Sequence, residues 1–255
     1  MKLLDILHNL EQVAPVALSD DFCKKYSIYD NSGIIYDGGE EICGALFSLD
    51  LSTKSVEVAK ARGFNLIVTH HPAIYGGISR IKYSDPIAKC IQSGISIISM
   101  HLNFDAAPEG IDYHLMRGLG GRNAEILASL DGGGYGRIYS VSPESFTEYF
   151  SKVKKEFLTD RAVSFGGERE VKKVASFCGA GCDDKAINFA ISRGADVFVS
   201  SDMKHHEIAA LLEHGINVIQ LTHYSAESYG FNKIYNEISS GLKIKSAYLS
   251  DEDLI

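Results

Sequence analysis

The sequence predicts an α/β fold, and three observations lead there. Short apolar runs of strand length alternate with stretches of helical period, glycines stand where those helices must stop, and the same order of features recurs in the two halves of the chain.

The first residues, Met1-Lys-Leu-Leu-Asp-Ile-Leu-His, carry an acid and a histidine inside a short apolar run, which reads as an amphipathic helix rather than a signal peptide. Strands are predicted over 42–49, 65–69, 95–100, 173–178, 196–200 and 216–221, where β-branched and other apolar residues run almost unbroken, as buried parallel strands require. Helices are predicted near 52–62, 85–93, 183–193, 204–214 and 225–239. Four of these end at Arg62-Gly63, Ser93-Gly94, Arg193-Gly194 and His214-Gly215, each supplying a residue that can adopt the left-handed stop conformation.

Those glycines mark a weak internal repeat. In each half a helix ends in Arg-Gly, a strand follows (Asn65-Leu-Ile-Val68; Asp196-Val-Phe-Val199), a second helix ends in Gly, and a last strand runs into a histidine. That histidine is followed four residues later by a carboxylate, giving His101/Asp105 and His223/Glu227. Between the halves, 132–170 reads as a strand, a helix over 143–157 and a turn at Gly166-Gly167. The expected organisation is two pseudo-repeated βαβ-rich halves, 1–130 and 131–255, with strand ends facing a shared crevice, since ligands of α/β sheets bind beyond the carboxyl ends of strands.

At 255 residues and 45% hydrophobic composition the chain can bury a core without disulfides or structural metal. No apolar run approaches the roughly 20 residues of a membrane span. Five cysteines, an odd number set mostly in apolar contexts, suit a reducing compartment, and a cytoplasmic location is expected. A formal net charge of −8, with no cluster of Lys and Arg, argues against nucleic-acid binding.

The chemistry concentrates at strand ends. Val68-Thr69-His70-His71-Pro72 is an apolar strand ending in two histidines and stopped by proline. Adjacent side chains of a regular strand diverge, so this pair is suited to two ions better than to one. Taken singly, each feature has a plainer explanation: solvated loop histidines, Asp105 as a turn residue ahead of Pro108, Glu227 as a first-turn carboxylate of a helix capped by Ser225. Together, strand ends carrying His70, His71, His101/Asp105 and His223/Glu227 point to a metal site. Imidazole and carboxylate without thiolate suit zinc, manganese, iron, nickel or cobalt. Two such ions would share an activated water, and only Asp105 and Glu227 could bridge them.

A further cluster, Ser200-Ser201-Asp202-Met-Lys-His205-His206-Glu207, stands at the strand end that matches His70-His71 in the repeat. Asp202, His205 or His206 could orient a ligand or substrate there, although Asp202 would equally serve as a helix cap. Cys178-Gly-Ala-Gly-Cys182 is neither a paired-cysteine metal motif nor a phosphate-loop fingerprint, and reads as a strand-to-helix turn.

In the order Tyr29-Asp30-Asn31-Ser32-Gly33, Thr69-His70-His71-Pro72, His101-x-x-x-Asp105, Ser201-Asp202-x-x-x-His206 and His223-Tyr-x-x-Glu227, the chain resembles the Nif-three-like family of dinuclear-metal hexameric proteins, also called GTP cyclohydrolase I type two homologs. The resemblance covers essentially the whole chain. It implies a toroidal homohexamer of two-domain subunits with metal pairs facing the inside of the ring. His71 and Asp105 would hold one ion, His70 and His223 the other, and Glu227 would bridge them, with His101 close by as an outer ligand or acid/base group and His206 as a second candidate catalytic group. The short 132–170 connection implies that an inserted middle domain of longer relatives is absent. Two departures stand out: Tyr29 where Trp is usual, and Ser200-Ser201-Asp202 in place of Thr-Gly-Asp. The function expected is metal-dependent hydrolysis of a small molecule, with a non-catalytic metal-binding hexameric scaffold as the alternative.

Overall fold

A computed structural model describes residues 1–130 and 132–254. In chain order the elements are α1 (Leu3–Glu11), α2 (Val16–Tyr26), β1 (Gly33–Tyr36), β2 (Gly44–Ser48), α3 (Thr53–Ala61), β3 (Leu66–Thr69), α4 (Pro86–Gln92), β4 (Ser96–Ser99) and α5 (Leu102–Ala106). There follow α6 (Ile111–Gly118), β5 (Ala124–Leu130), β6 (Gly133–Ser145), α7 (Phe146–Glu156), β7 (Val163–Phe165), β8 (Glu170–Ser176), α8 (Asp184–Ser192), β9 (Val197–Ser200), α9 (His205–Glu213), β10 (Asn217–Gln220), α10 (His223–Ser239) and β11 (Lys245–Leu249). The fold is α/β, as expected. All six strands and all five helices expected in the two repeats are present to within three residues at each end.

Two compact units form, Met1–Gly110 with Phe231–Ser250, and Ile111–Gly230 with Asp251–Ile255. This grouping follows a different line from the sequence division at 130/131, because the chain changes unit at Gly110 and returns within α10 at Gly230.

In the first unit the sheet order is β1-β4-β3-β2-β11. β4, β3, β2 and β11 are parallel and β1 is antiparallel at one edge. Every residue of β2, β3 and β4 is buried, which is why these strands read as continuous apolar runs. Successive side chains point to opposite faces. Leu46 and Ile67 pack with Val56, Ala59 and Cys90 of the flanking helices, whereas Phe47 faces Phe231 and Tyr235 of α10, with ring centroids 6.3 and 5.0 Å away.

In the second unit the order is β5-β6-β8-β9-β10-β7, with β8, β9 and β10 parallel. Phe177 and Phe198 stack at 5.1 Å in its core, beside Ala186, Phe189, Ala190 and Leu211. The repeat is visible within each unit: β2-α3-β3-α4-β4 matches β8-α8-β9-α9-β10, and the last strand of each set pairs with an antiparallel strand, β1 or β7. The four helix-stopping glycines Gly63, Gly94, Gly194 and Gly215 all have positive φ, between 62 and 72°.

Three local expectations are corrected. The helix expected over 143–157 begins only at Phe146, because β6 continues through Ser145, whose hydroxyl then caps α7 by accepting the Glu148 N–H. α10 begins at His223 rather than 225: Thr222 Oγ1 accepts the Ser225 N–H at 3.0 Å, so Thr222 is the capping side chain and Ser225 is not. Asp202 does not cap α9, whose N-cap is Lys204 with Glu207 accepting the Lys204 N–H at 2.7 Å.

Candidate metal site

In the first unit, β3 delivers His70 and His71 to one place. The chain leaves strand geometry at His70, so the two rings do not diverge as expected but lie with centroids 5.0 Å apart. The bend is held locally. Thr69 Oγ1 donates to the His71 carbonyl at 2.7 Å, the His71 N–H donates to the Leu49 carbonyl at 2.9 Å, and Ser99 Oγ accepts the Ala73 N–H at 3.0 Å. His101, just beyond β4, brings a third ring to within 5.2 Å of His70 and 5.9 Å of His71. Asp105 sits in the short helix α5, buried rather than in an exposed turn, with Oδ1 3.5 Å from His70 Nε2. His70, His101 and Asp105 each offer a ligand atom, all within 4.8 Å of one another.

The orientation of each ring is fixed from behind. His70 Nδ1 donates to the Met100 carbonyl at 3.0 Å, His71 Nδ1 to Asp50 Oδ1 at 2.7 Å, and His101 Nδ1 to Asp30 Oδ1 at 2.7 Å. A carbonyl or carboxylate oxygen can only accept, so Nδ1 carries the proton in each, and the neutral ring presents the Nε2 lone pair. This is the arrangement in which histidines ligate metals, with an outer acceptor fixing tautomer and orientation.

Asp30 is the most elaborate of these acceptors. It takes hydrogen bonds from Ser19 Oγ at 2.5 Å, Ser32 Oγ at 2.6 Å and His101, while Ser32 Oγ also accepts the His101 N–H at 3.0 Å. Burial pushes the Asp30 carboxyl up, but the hydrogen bonds from His101, Ser19 and Ser32 outweigh it and hold it well below the usual carboxylate range. Burial likewise pushes His101 down, and the bond to Asp30 with the charges of Asp105 and Asp30 reverses this, leaving its pKa raised.

In the second unit, His223 and Glu227 lie one turn apart on α10, with His223 Nε2 3.0 Å from Glu227 Oε2. His223 Nδ1 donates to Asp202 Oδ2 at 2.5 Å. Asp202 holds this position with φ +50°, in the left-handed region that Gly, Asn and Asp enter more readily than other residues. Glu227 is buried, 3% exposed, an environment a carboxylate tolerates only with compensating partners. His205 and His206 are both exposed in the first turn of α9.

The ligand-type residues stand out in the sequence, whereas the roles of Asp30 and Asp50 emerge only from the structure. Both could have been noticed: Asp50 directly follows a buried strand, and Asp30 sits in the Tyr29-Asp30-Asn31-Ser32-Gly33 motif. The cysteines behave as apolar residues where they are buried, and burial pushes the Cys90 and Cys182 thiols up to about 12. No disulfide joins any of the five.

A family model described as Duf34/NIF3 (NGG1p interacting factor 3) matches residues 1–252. A protein of Archaeoglobus fulgidus named GTP cyclohydrolase 1 type 2 homolog is 31% identical over 246 residues, 94% of this chain and 97% of that one. Among solved structures, Staphylococcus aureus protein SA1388 superposes with a TM-score of 0.86 at 22% identity, over 100% of this chain and 98% of that one. The reduced form of HcgD from Methanocaldococcus jannaschii gives 0.80 at 26% identity, over 98% of both chains.

Proposed function

This chain belongs to the Duf34/NIF3 family, and we propose that it is a metal-dependent hydrolase with a dinuclear centre. One observation carries the reading. Each of His70, His71 and His101 has Nδ1 tied to an oxygen acceptor and is thereby preset to offer Nε2, and His223 has Nδ1 tied to Asp202 with Nε2 turned to Glu227 Oε2 at 3.0 Å. A set of histidines held for structure alone has no need of a common tautomer.

The candidate ligands are His70, His71, Asp105, His223 and Glu227, with His101 beside His70 and Asp105 as an outer group. In this proposal His71 and Asp105 would hold one divalent ion and His70 and His223 the other, with Glu227 as the carboxylate that would serve both. The donor set is imidazole and carboxylate, which suits zinc, manganese, iron, nickel or cobalt. Such a pair, when bound, supplies the Lewis acidity that makes water nucleophilic near neutral pH.

The chain's own residues do the rest. Asp50 and Asp202 keep His71 and His223 in the ligating orientation. Asp30 holds the proton of His101 on Nδ1, so that Nε2 can accept a proton from water or, once protonated, return it to a leaving group. His206, exposed on α9, is the candidate for contact with the substrate. The name of the A. fulgidus relative supports a nucleotide ring as the substrate class. A homohexameric ring and a cytoplasmic location complete the proposal. The family resemblance supports the ring. Five free cysteines support the location, and no helix of the described residues is long and apolar enough to cross a membrane.

The test is turnover. Protein stripped by chelator and reloaded with zinc or manganese is assayed against nucleoside triphosphates, GTP included, with products followed by mass spectrometry. Metal-restored hydrolysis that Glu227→Gln abolishes, with the oligomer intact in light scattering, supports the enzyme. Metal binding without turnover in any tested class favours a non-catalytic hexameric scaffold.

A further inference from the structure

The segment Cys178-Gly-Ala-Gly-Cys182 reads from sequence as a simple turn between β8 and α8, yet its first two residues are held far more tightly than such a turn requires. The Cys178 N–H donates to Asp112 Oδ1 at 3.1 Å. The Cys178 carbonyl accepts the Tyr135 hydroxyl. The Gly179 carbonyl accepts both the Ser201 N–H at 3.1 Å and Ser200 Oγ at 3.2 Å. Asp112 is itself fully buried, accepts the Gly136 N–H at 3.0 Å and pairs with the buried Arg137. A buried ion pair is costly to assemble, and its best-attested use is to fix a geometry rather than to add stability.

What this fixed turn touches is Glu227. Gly179 has φ +56°, and a Cβ built there would collide with Glu227 Oε1 and lie 3.5 Å from His223 Cε1. The carboxylate therefore rests directly on the Gly179 backbone, an approach open only to a residue without a side chain. The loop leading from β9 closes the same cradle, because Ser200 and Ser201 bind the Gly179 carbonyl while the next residue, Asp202, holds His223.

We infer that the Cys178–Gly179 turn is a rigid seat that positions the Glu227 carboxylate, with Asp112 and Tyr135 as positioning residues acting through the turn. The inference rests on the reading of Glu227 as a metal ligand. A carboxylate that must reach two ions gains from being aimed before they arrive, since an unsupported glutamate would lose rotamer freedom on binding.

The experiment compares wild type, Gly179→Ala, Tyr135→Phe and Glu227→Gln, all full length. Zinc affinity is measured by competition with a chromophoric chelator, the visible spectrum of the cobalt-loaded protein is recorded, and thermal melting is followed with and without zinc. For Gly179→Ala the expected result is a loss of about tenfold or more in zinc affinity, the scale seen when supporting partners of metal ligands are removed. An altered cobalt spectrum and a reduced zinc-induced rise in melting temperature should accompany it. Tyr135→Phe, which removes one hydroxyl and adds no bulk, should show the same changes more weakly, and it carries the test if Gly179→Ala does not fold. If Glu227→Gln loses zinc while the two seat variants keep wild-type affinity and spectrum, the seat is refuted and the metal reading stands. If Glu227→Gln keeps full zinc affinity, the metal reading of Glu227 fails and the inference falls with it.

Discussion

Asp30 and His101 are joined side chain to side chain, Oδ1 to Nδ1 at 2.7 Å, across a sequence separation of 71 residues. The carboxylate side chain is 1% exposed and also receives the Ser19 and Ser32 hydroxyls. The bonds from Ser19 and Ser32 fix this carboxylate and with it the orientation of His101.

The pair gives a pH signature in metal-free protein. Asp30, depressed in the folded state, contributes stability above its unfolded pKa, and this is lost as pH falls through the lower folded value. His101, raised in the folded state, contributes fully below its unfolded pKa, and this is lost as pH rises through the higher folded value. Both contributions are complete only between about pH 4 and 6.5, the ordinary values of the two groups. Denaturant melts of wild type and Asp30→Asn should therefore differ most inside that window and converge on either side. A difference independent of pH would detach stability from this pair.

Asp50 and Asp202 are expected to act on metal affinity rather than on folding. Asp50→Ala and Asp202→Ala free the rings of His71 and His223, and each should weaken metal binding by about 10- to 100-fold, as removal of outer partners generally does. Calorimetric titration with zinc checks this. Because Asp202 has φ +50°, Asp202→Asn, which tolerates that conformation, should fold as well as wild type, and Asp202→Gly should gain backbone ease while losing the grip on His223.

His101→Ala and His206→Ala should separate proton transfer from metal retention. With metal content unchanged, turnover is expected to fall on the order of 10²-fold for His101→Ala, the scale of a general acid–base group. A smaller fall is expected for His206→Ala. Unchanged turnover in the latter would make His206 a surface histidine of α9.

Phe231 links packing to the site within the first unit, since its ring lies 5.9 Å from Phe104, 6.0 Å from His70 and 6.3 Å from Phe47 and is fully buried. Phe231→Ala should cost about 3–5 kcal/mol by the cavity it leaves. Thermal melting would measure this, and metal affinity should fall with it because His70 loses a packing neighbour.

Much of this was legible in the sequence, for a physical reason. Buried parallel strands such as β3 and β9 must be apolar throughout, and helices such as α3 and α8 must stop, so their limits are written in Leu-Ile-Val runs and in Gly63 and Gly194. Short or two-faced elements left a weaker trace. β11, half-buried at the edge of its sheet, and β1, four residues long with an irregular register, were not read, nor were α2, α6 and β5. At the site, ligand types were visible because His-His-Pro and His-x-x-x-Glu are local patterns. Of their supports only Asp202 is legible, as a residue that could orient a ligand, whereas Asp30 and Asp50 reach His101 and His71 only through the tertiary fold. The start of α10 lies two residues before the expected 225 for a related reason: Ser225 and Thr222 are both good caps, and only the backbone decides between them.

The dinuclear centre is tested by elemental analysis of metal per chain in protein purified without chelator and refilled with zinc or manganese, for wild type, His70→Ala and Glu227→Ala. The expected result is two ions per chain in wild type, both lost in Glu227→Ala and fewer lost in His70→Ala. Refilled wild type that binds no metal would contradict the dinuclear centre and leave the anchored histidines as structural groups.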